Sequence, residues 1–132
     1  MANVAPTFRV VSLIYLPLKR QEKFFILPRW LPEAEPSWFG FLLTVRGGAP
    51  FKRDDIVQFL QKKKIGTRYL FGGNLLKQPY FTEGKYEYRV VGNLKNTDLI
   101  MSNTFWVGVY PGLTNEMLDC VIGSFKDFLI AY

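Results

Sequence analysis

Ser37-Trp-Phe-Gly-Phe-Leu-Leu-Thr-Val45 is the stretch whose reading decides how this chain is built. Both of its alternating faces are largely apolar, so it reads as a strand covered on two sides, with Trp38 in the core. Gly47-Gly48 ends it. Just downstream, Lys52 to Lys63 carries Ile56, Val57, Phe59 and Leu60 at helical spacing, with Asp54 and Asp55 near its start. That pattern predicts an amphipathic helix, stopped by Gly66. A second strand is expected at Thr104-Phe-Trp-Val-Gly-Val-Tyr110, where Trp106 is again a core residue, and the turn pair Pro111-Gly112 cuts it. Thr114 then caps a final helix whose apolar residues Met117, Leu118, Val121, Ile122, Phe125, Phe128 and Leu129 recur three and four apart.

Outward from these elements the signals weaken. Met1 to Pro6 reads as a loose tail. Phe8-Arg-Val-Val-Ser-Leu-Ile-Tyr-Leu16 is rich in β-branched and aromatic residues and predicts a strand that ends at Pro17. Phe24 to Leu27 is a short apolar run closed by Pro28, and Pro32 and Pro36 bracket an acidic loop. Tyr86 to Val91 alternates as a strand, and Asn96-Thr-Asp98 looks like the capped start of a short helix through Leu99 to Met101. Strands and helices mix without repeated βαβ spacing. The expected fold is α+β: a small, mainly antiparallel sheet covered by two main helices.

Composition limits the chemistry. At 132 residues the chain suits one domain with a real core. Hydrophobic residues at 48% and charged residues at 21% exclude a disordered chain. Aromatic residues reach 17%, which means either an aromatic core or apolar surface awaiting a partner. The formal charge of +6 is scattered, and its one uninterrupted run, Lys62 to Lys64, falls at a helix C-terminus where cations are stabilised; no nucleic-acid reader motif accompanies it. A single cysteine, Cys120, reads as buried filler on the last helix and leaves no disulfide or Cys-rich metal site. With no histidine, Ser-His-Asp and Cys-His mechanisms and the usual zinc sites are excluded. No apolar run has the length of a membrane span, and Val10 to Leu18 is followed by basic residues instead of a cleavage site, so a cytoplasmic protein is expected.

The candidate site is the loop Ile65-Gly-Thr-Arg-Tyr-Leu-Phe-Gly-Gly-Asn-Leu-Leu-Lys-Gln-Pro-Tyr80. Arg68 can grip a phosphate with its planar fork, and Lys77 adds positive charge. Asn74 and Gln78 can donate to and accept from sugar hydroxyls, while Phe71 and Tyr80 offer stacking faces. Gly72 and Gly73 allow close backbone approach and can expose N–H groups to an anion. The competing reading is structural: a glycine turn, a surface arginine and core aromatics.

Four segments carry a resemblance. They are Pro36-Ser-Trp-Phe-Gly-Phe41, then Lys64 to Leu75 with Gln78-Pro-Tyr80, then Asn93 to Asp98, and finally Ser102-Asn-Thr-Phe-Trp-Val-Gly-Val-Tyr-Pro-Gly-Leu113. From about Phe24 to the end, the chain resembles the C-terminal domain of the DegT/DnrJ/EryC1/StrS sugar aminotransferases. These are fold-type I pyridoxal phosphate (PLP) proteins, and the similarity is greatest to their nucleotide-sugar 3-dehydrases of lipopolysaccharide dideoxysugar synthesis. Residues 24–132 then form the aminotransferase-like domain, and residues 1–23 an unaligned extension with an extra strand. The resemblance implies that Gly66 to Tyr80 borders the active-site mouth, where it meets a nucleotide sugar. It also implies that PLP, its Schiff-base lysine or the replacing histidine, its phosphate loop and its pyridinium acid all belong to a large domain that this sequence lacks.

The expected chain is therefore a stand-alone C-terminal domain without catalytic residues, metal or PLP of its own, holding a nucleotide sugar weakly. Two alternatives stand beside it. One is a self-associating or partner-binding module, with a homodimer favoured and Phe8 to Leu16 at its interface or covering its own chain. The other is the small half of a split PLP enzyme, which predicts a bare apolar face.

Overall fold

The computed structural model describes residues 6–84 and 86–132; the expected tail, Met1 to Pro6, lies outside them except for its last residue. In chain order the elements are α1 (Pro6–Lys19), β1 (Phe25–Ile26), β2 (Gly40–Val45), α2 (Arg53–Lys62), β3 (Thr67–Tyr69), α3 (Pro79–Thr82), α4 (Lys95–Asn103), β4 (Thr104–Gly108) and α5 (Asn115–Leu129). The strands form one antiparallel sheet ordered β1-β2-β4-β3. Register is anchored where Leu42 pairs with Trp106, and Arg68 pairs with Trp106 from the other side.

Side chains alternate along the two central strands, and one face is buried throughout. Phe41, Leu43 and Val45 on β2 and Phe105, Val107 and Val109 on and after β4 join a single core with Ile56, Val57 and Leu60 of α2 and Leu118, Phe125 and Phe128 of α5. Burying each such side chain is worth about 1.5–3 kcal/mol. Part of the aromatic surplus goes here. Phe51 sits between Phe128 (ring centroids 4.9 Å apart) and Phe24 (5.5 Å).

The opposite face is only half covered, against the expectation of burial on both sides. Leu42 and Trp106 are half-buried and Phe39 is 65% exposed beside Trp106, at 5.3 Å. Trp38 is half-buried as well, packed on the core edge. Gly40 is required where it stands: a Cβ there would lie 2.6 Å from the Trp106 ring.

The N-terminal stretch corrects the sequence reading. Phe8 to Leu16 lies within helix α1, not a strand. Its buried apolar residues are Val10, Val11, Ile14 and Leu18, the three- and four-residue spacing of one helix face, and they pack with α5 in the chain's own core. The spacing was hidden because Leu13 and Leu16, on the exposed side, are apolar too. A short apolar run does not by itself distinguish the two periods. Pro6 takes the first helical position, where a missing N–H costs nothing, and Pro17 falls in the last turn. Two main helices were expected over the sheet; α2 and α5 do this, and α1 is a third.

Smaller corrections have equally local causes. Tyr86 to Val91 has no place in the sheet, because Tyr86 and Tyr88 pack instead on Phe81 beside α3. Helix α4 begins at Lys95, ahead of the expected cap: Leu94 takes the left-handed conformation (φ 53°), and the Asn93 side chain accepts from the Lys95 N–H at 3.1 Å. Helix α2 is terminated by Lys64 (φ 61°), not by Gly66, with Ile65 N–H donating to Leu60 O and Lys64 N–H to Gln61 O, both at 2.9 Å. This is the Schellman arrangement, closed by the half-buried Ile65 packing on the core. Cys120 is exposed, since the buried line of α5 runs through Leu118, Phe125 and Phe128.

Candidate functional site

The segment Gly66 to Tyr80 is not a free loop. It opens with β3 on the sheet edge, turns at Phe71 (φ 43°) and Gly73 (φ 64°), passes through a 3-10 turn at Leu75–Lys77, and enters α3 at Pro79. Gly73 must be glycine, because a Cβ there would also meet the Met101 side chain at 2.5 Å. The segment is pinned by Asn74, which is 4% exposed. Asn74 Oδ1 accepts from the Leu76 N–H at 3.0 Å and caps the turn, while its Nδ2 donates to Asp98 Oδ1 of α4 at 2.8 Å. Lys77 Nζ reaches the same oxygen at 2.8 Å. Held down first by the Asn74 amide and then by Lys77, the Asp98 carboxyl lies below its ordinary range.

The six expected site residues thus divide. Asn74 and Lys77 meet on Asp98, and Gln78 Nε2 donates back to the Gly72 carbonyl, so these three brace the segment internally. Tyr80 is 62% exposed but stacks flat on Tyr86, at 4.4 Å. Phe71 is 78% exposed. Arg68 is exposed on the edge strand, and its Nη1 donates only to the adjacent Thr67 carbonyl, at 3.0 Å, among the described residues. A groove of about 440 Å³ lies against the segment, between Leu76, Phe81, Tyr88 and Leu94; of the six residues only Asn74 lines it.

Sequence reasoning missed two groups. Asp98 stands in the sequence only as part of a motif, because nothing in one dimension signals a pairing 24 positions away. The other is a cluster beside β3. Arg53 lies over the Tyr69 ring at 3.8 Å, donates to the Met101 carbonyl at 2.7 Å and pairs with Asp54 at 3.0 Å. Tyr69 also donates to Asp54, at 3.0 Å. The Arg53 hydrogen bond is the main cause that draws the Asp54 carboxyl below its ordinary range, while desolvation first and the hydrogen bond to Asp54 second raise the Tyr69 hydroxyl. Arg53 and Asp54 opened the expected helix, and no pattern marked them as a pair for Tyr69.

No group of metal-ligating side chains occurs among the described residues, and none of the described helices is long and apolar enough to cross a membrane. The residues present do not fit a PLP site. A Schiff-base lysine needs an enclosed position beside a phosphate cradle and an acid for the ring nitrogen. Every described lysine is exposed; Lys77 is engaged with Asp98 and Lys63 with Asp127 at 3.5 Å.

Comparison with known proteins gives a consistent picture. Residues 10–126 match the sequence profile of the DegT/DnrJ/EryC1/StrS aminotransferase family. The lipopolysaccharide biosynthesis protein RfbH of Salmonella typhimurium is 52% identical over 106 residues, 80% of this chain and 24% of that protein. The dTDP-4-dehydro-2,6-dideoxy-D-glucose 3-dehydratase of Saccharopolyspora spinosa is 45% identical over 79% of this chain and 22% of its own. The chain therefore spans about a quarter of the length of the curated relatives it matches. In three dimensions it superposes on GDP-4-keto-6-deoxymannose-3-dehydratase, solved with a trapped PLP-glutamate geminal diamine, with a TM-score of 0.77 at 20% identity, covering 92% of this chain and 30% of that one. An aminotransferase from Psychrobacter cryohalolentis gives 0.79 at 14% identity, covering 97% and 34%. These likenesses carry the α+β fold.

Proposed function

The chain belongs to the DegT/DnrJ/EryC1/StrS aminotransferase family, and from that premise we propose that it is the small C-terminal domain of a PLP-dependent nucleotide-sugar dehydratase or aminotransferase. By itself it is non-catalytic and binds no PLP. Its share of the chemistry is to hold part of a nucleotide-sugar substrate on the Gly66–Tyr80 segment. Residues 24–132 carry this role, and α1 seals the back of the domain.

One observation carries this reading. The segment is braced internally by Asn74, Lys77 and Gln78, yet it leaves the Arg68 guanidinium exposed with only a neighbouring carbonyl as partner. A braced scaffold with an underused arginine is what a diphosphate needs, because little side-chain freedom remains to be lost on binding. Asn74 supports the site instead of touching sugar, and the exposed Phe71 supplies the apolar contact. For these residues alone the dissociation constant is about a millimolar, because they bury only part of a ligand's surface.

The test is a titration of labelled protein with a GDP- or dTDP-linked hexose, followed by amide shifts. The expected shifts cluster on residues 66–80 and vanish in Arg68→Ala with the fold intact. Shifts clustered elsewhere, or Arg68→Ala unfolding the domain, would overturn the reading.

A second reading rests on the half-covered sheet face. Phe39 at 65% exposure, beside the half-buried Trp106, whose Nε1 is buried without a partner among the described residues, is apolar surface of the kind a further domain covers. The large PLP domain of the family is the occupant proposed, on the same chain or a separate one. Phe39→Ser should then leave the stability of this chain unchanged and weaken its association with that domain; a large loss of stability in the isolated chain would argue that Phe39 serves only its own fold.

A further inference from the structure

Tyr86-Glu87-Tyr88-Arg89-Val90-Val91 has the composition of a strand, yet the sheet leaves it out. Tyr86 and Tyr88 both reach Phe81, with ring centroids 6.3 and 5.6 Å apart, so alternate residues face α3 with the two-residue period of a strand. Glu87 lies between them, Arg89 follows Tyr88, and both are exposed. From Tyr86 to Gly92, no backbone N–H or C=O bonds to another described residue. A row of unpaired backbone groups with strand periodicity is a template for a second strand.

We infer that this segment pairs antiparallel with the same segment of a second copy of the chain, centred on Tyr88. The charges select both occupant and register. About a two-fold axis at Tyr88, Glu87 of each copy lies opposite Arg89 of the other, which makes two opposite-charge pairs on one face. On the other face Tyr86 meets Val90 of the second copy and the two Tyr88 rings adjoin, the aromatic and β-branched combinations that stabilise strand pairs. Centring on Glu87 or Arg89 instead sets like charges against each other. A single-sign row would protect such an edge from association, whereas opposite signs two residues apart make it self-complementary. The surface meets the six residues considered above for nucleotide sugar only where Tyr86 stacks on Tyr80, and Arg68 and Phe71 take no part in it, so the two proposals are tested separately.

Sedimentation of the full 132-residue chain at concentrations up to about 1 mM tests this, since even weak association registers there. The unaltered chain should reach twice its 15.3 kDa mass. Glu87→Arg and Arg89→Glu each turn two opposite-charge pairs into two like pairs and should weaken self-association at least about tenfold. Mixed in equal amounts, the two variants should dimerise again, because each supplies the charges the other lacks. A chain that stays at 15.3 kDa overturns the proposal. So do single variants that dimerise as tightly as the unaltered chain, or a mixture no tighter than its components. Both positions are exposed, and an unchanged circular-dichroism spectrum confirms that folding is not what was altered.

Discussion

The buried amide of Asn74 donates to the Asp98 carboxylate at 2.8 Å, and through that bond the segment after β3 is tied to helix α4. Asn74 also caps the turn that follows it. Replacing it by alanine removes a cap and a hydrogen bond to a charged group and leaves the Leu76 N–H without its acceptor. Asn74→Ala should cost about 1–2 kcal/mol in urea unfolding, with the slope unchanged.

Acid should loosen the same tie. Asp98 and Asp54 both titrate below their ordinary 3.8 in the folded chain, the first chiefly through the Asn74 amide, the second chiefly through Arg53. A lowered folded pKa stabilises fully above the unfolded value and stops doing so as pH falls through the folded one. The melting temperature should therefore hold down to about pH 4 and decline below it. In Asp98→Asn the decline should be shallower; an identical decline in that variant would remove Asp98 from the account.

Helix α1 predicts a contrast between near neighbours. Ile14 is 1% exposed and Leu16 is 64% exposed, although a strand would place both on one face. Ile14→Ala should cost about 2–4 kcal/mol, and Leu16→Ala less than about 0.5 kcal/mol. Equal costs in denaturant titrations would return this stretch to the strand reading.

The adjacent glycines should also differ. Gly73 combines a positive φ with contact to Met101, whereas a Cβ at Gly72 meets open space. Gly73→Ala should destabilise by about 1–3 kcal/mol, while Gly72→Ala should stay within about 0.5 kcal/mol of the unaltered chain. Thermal unfolding of the two variants side by side checks this.

Cys120, expected in the core, stands exposed on α5. A maleimide should label it fully under native conditions, at the same extent as in urea. Protection of the native chain would show that this helix face is covered in solution.

Much of the fold was legible because its signals are local. The strand expected from Ser37 to Val45, which starts at Gly40, the helix opened by Asp54 and Asp55, the strand at Thr104, and the helix capped by Thr114 (its hydroxyl accepts from Met117 N–H at 3.3 Å) each depend on residues a few positions apart. Where apolar residues filled both sides of an element, as in α1, the period was masked and composition pointed the wrong way. Tyr86 to Val91 failed differently. Its alternation fits a strand, but Tyr86 and Tyr88 pack on Phe81 of α3, so the segment joins neither edge of the sheet.

By itself the order of amino acids determined the family, the α+β class and the segment to examine, because motif wording, helical spacing and turn residues are written in one dimension. Only the tertiary structure decided what the polar residues of that segment do. Asn74 and Lys77 could have faced a ligand equally well; they face Asp98, because the turn at Gly73 is pressed against Met101 and brings α4 within reach of a hydrogen bond. A side chain's partner is set by which elements the core draws together, and the core is assembled from residues distant in sequence.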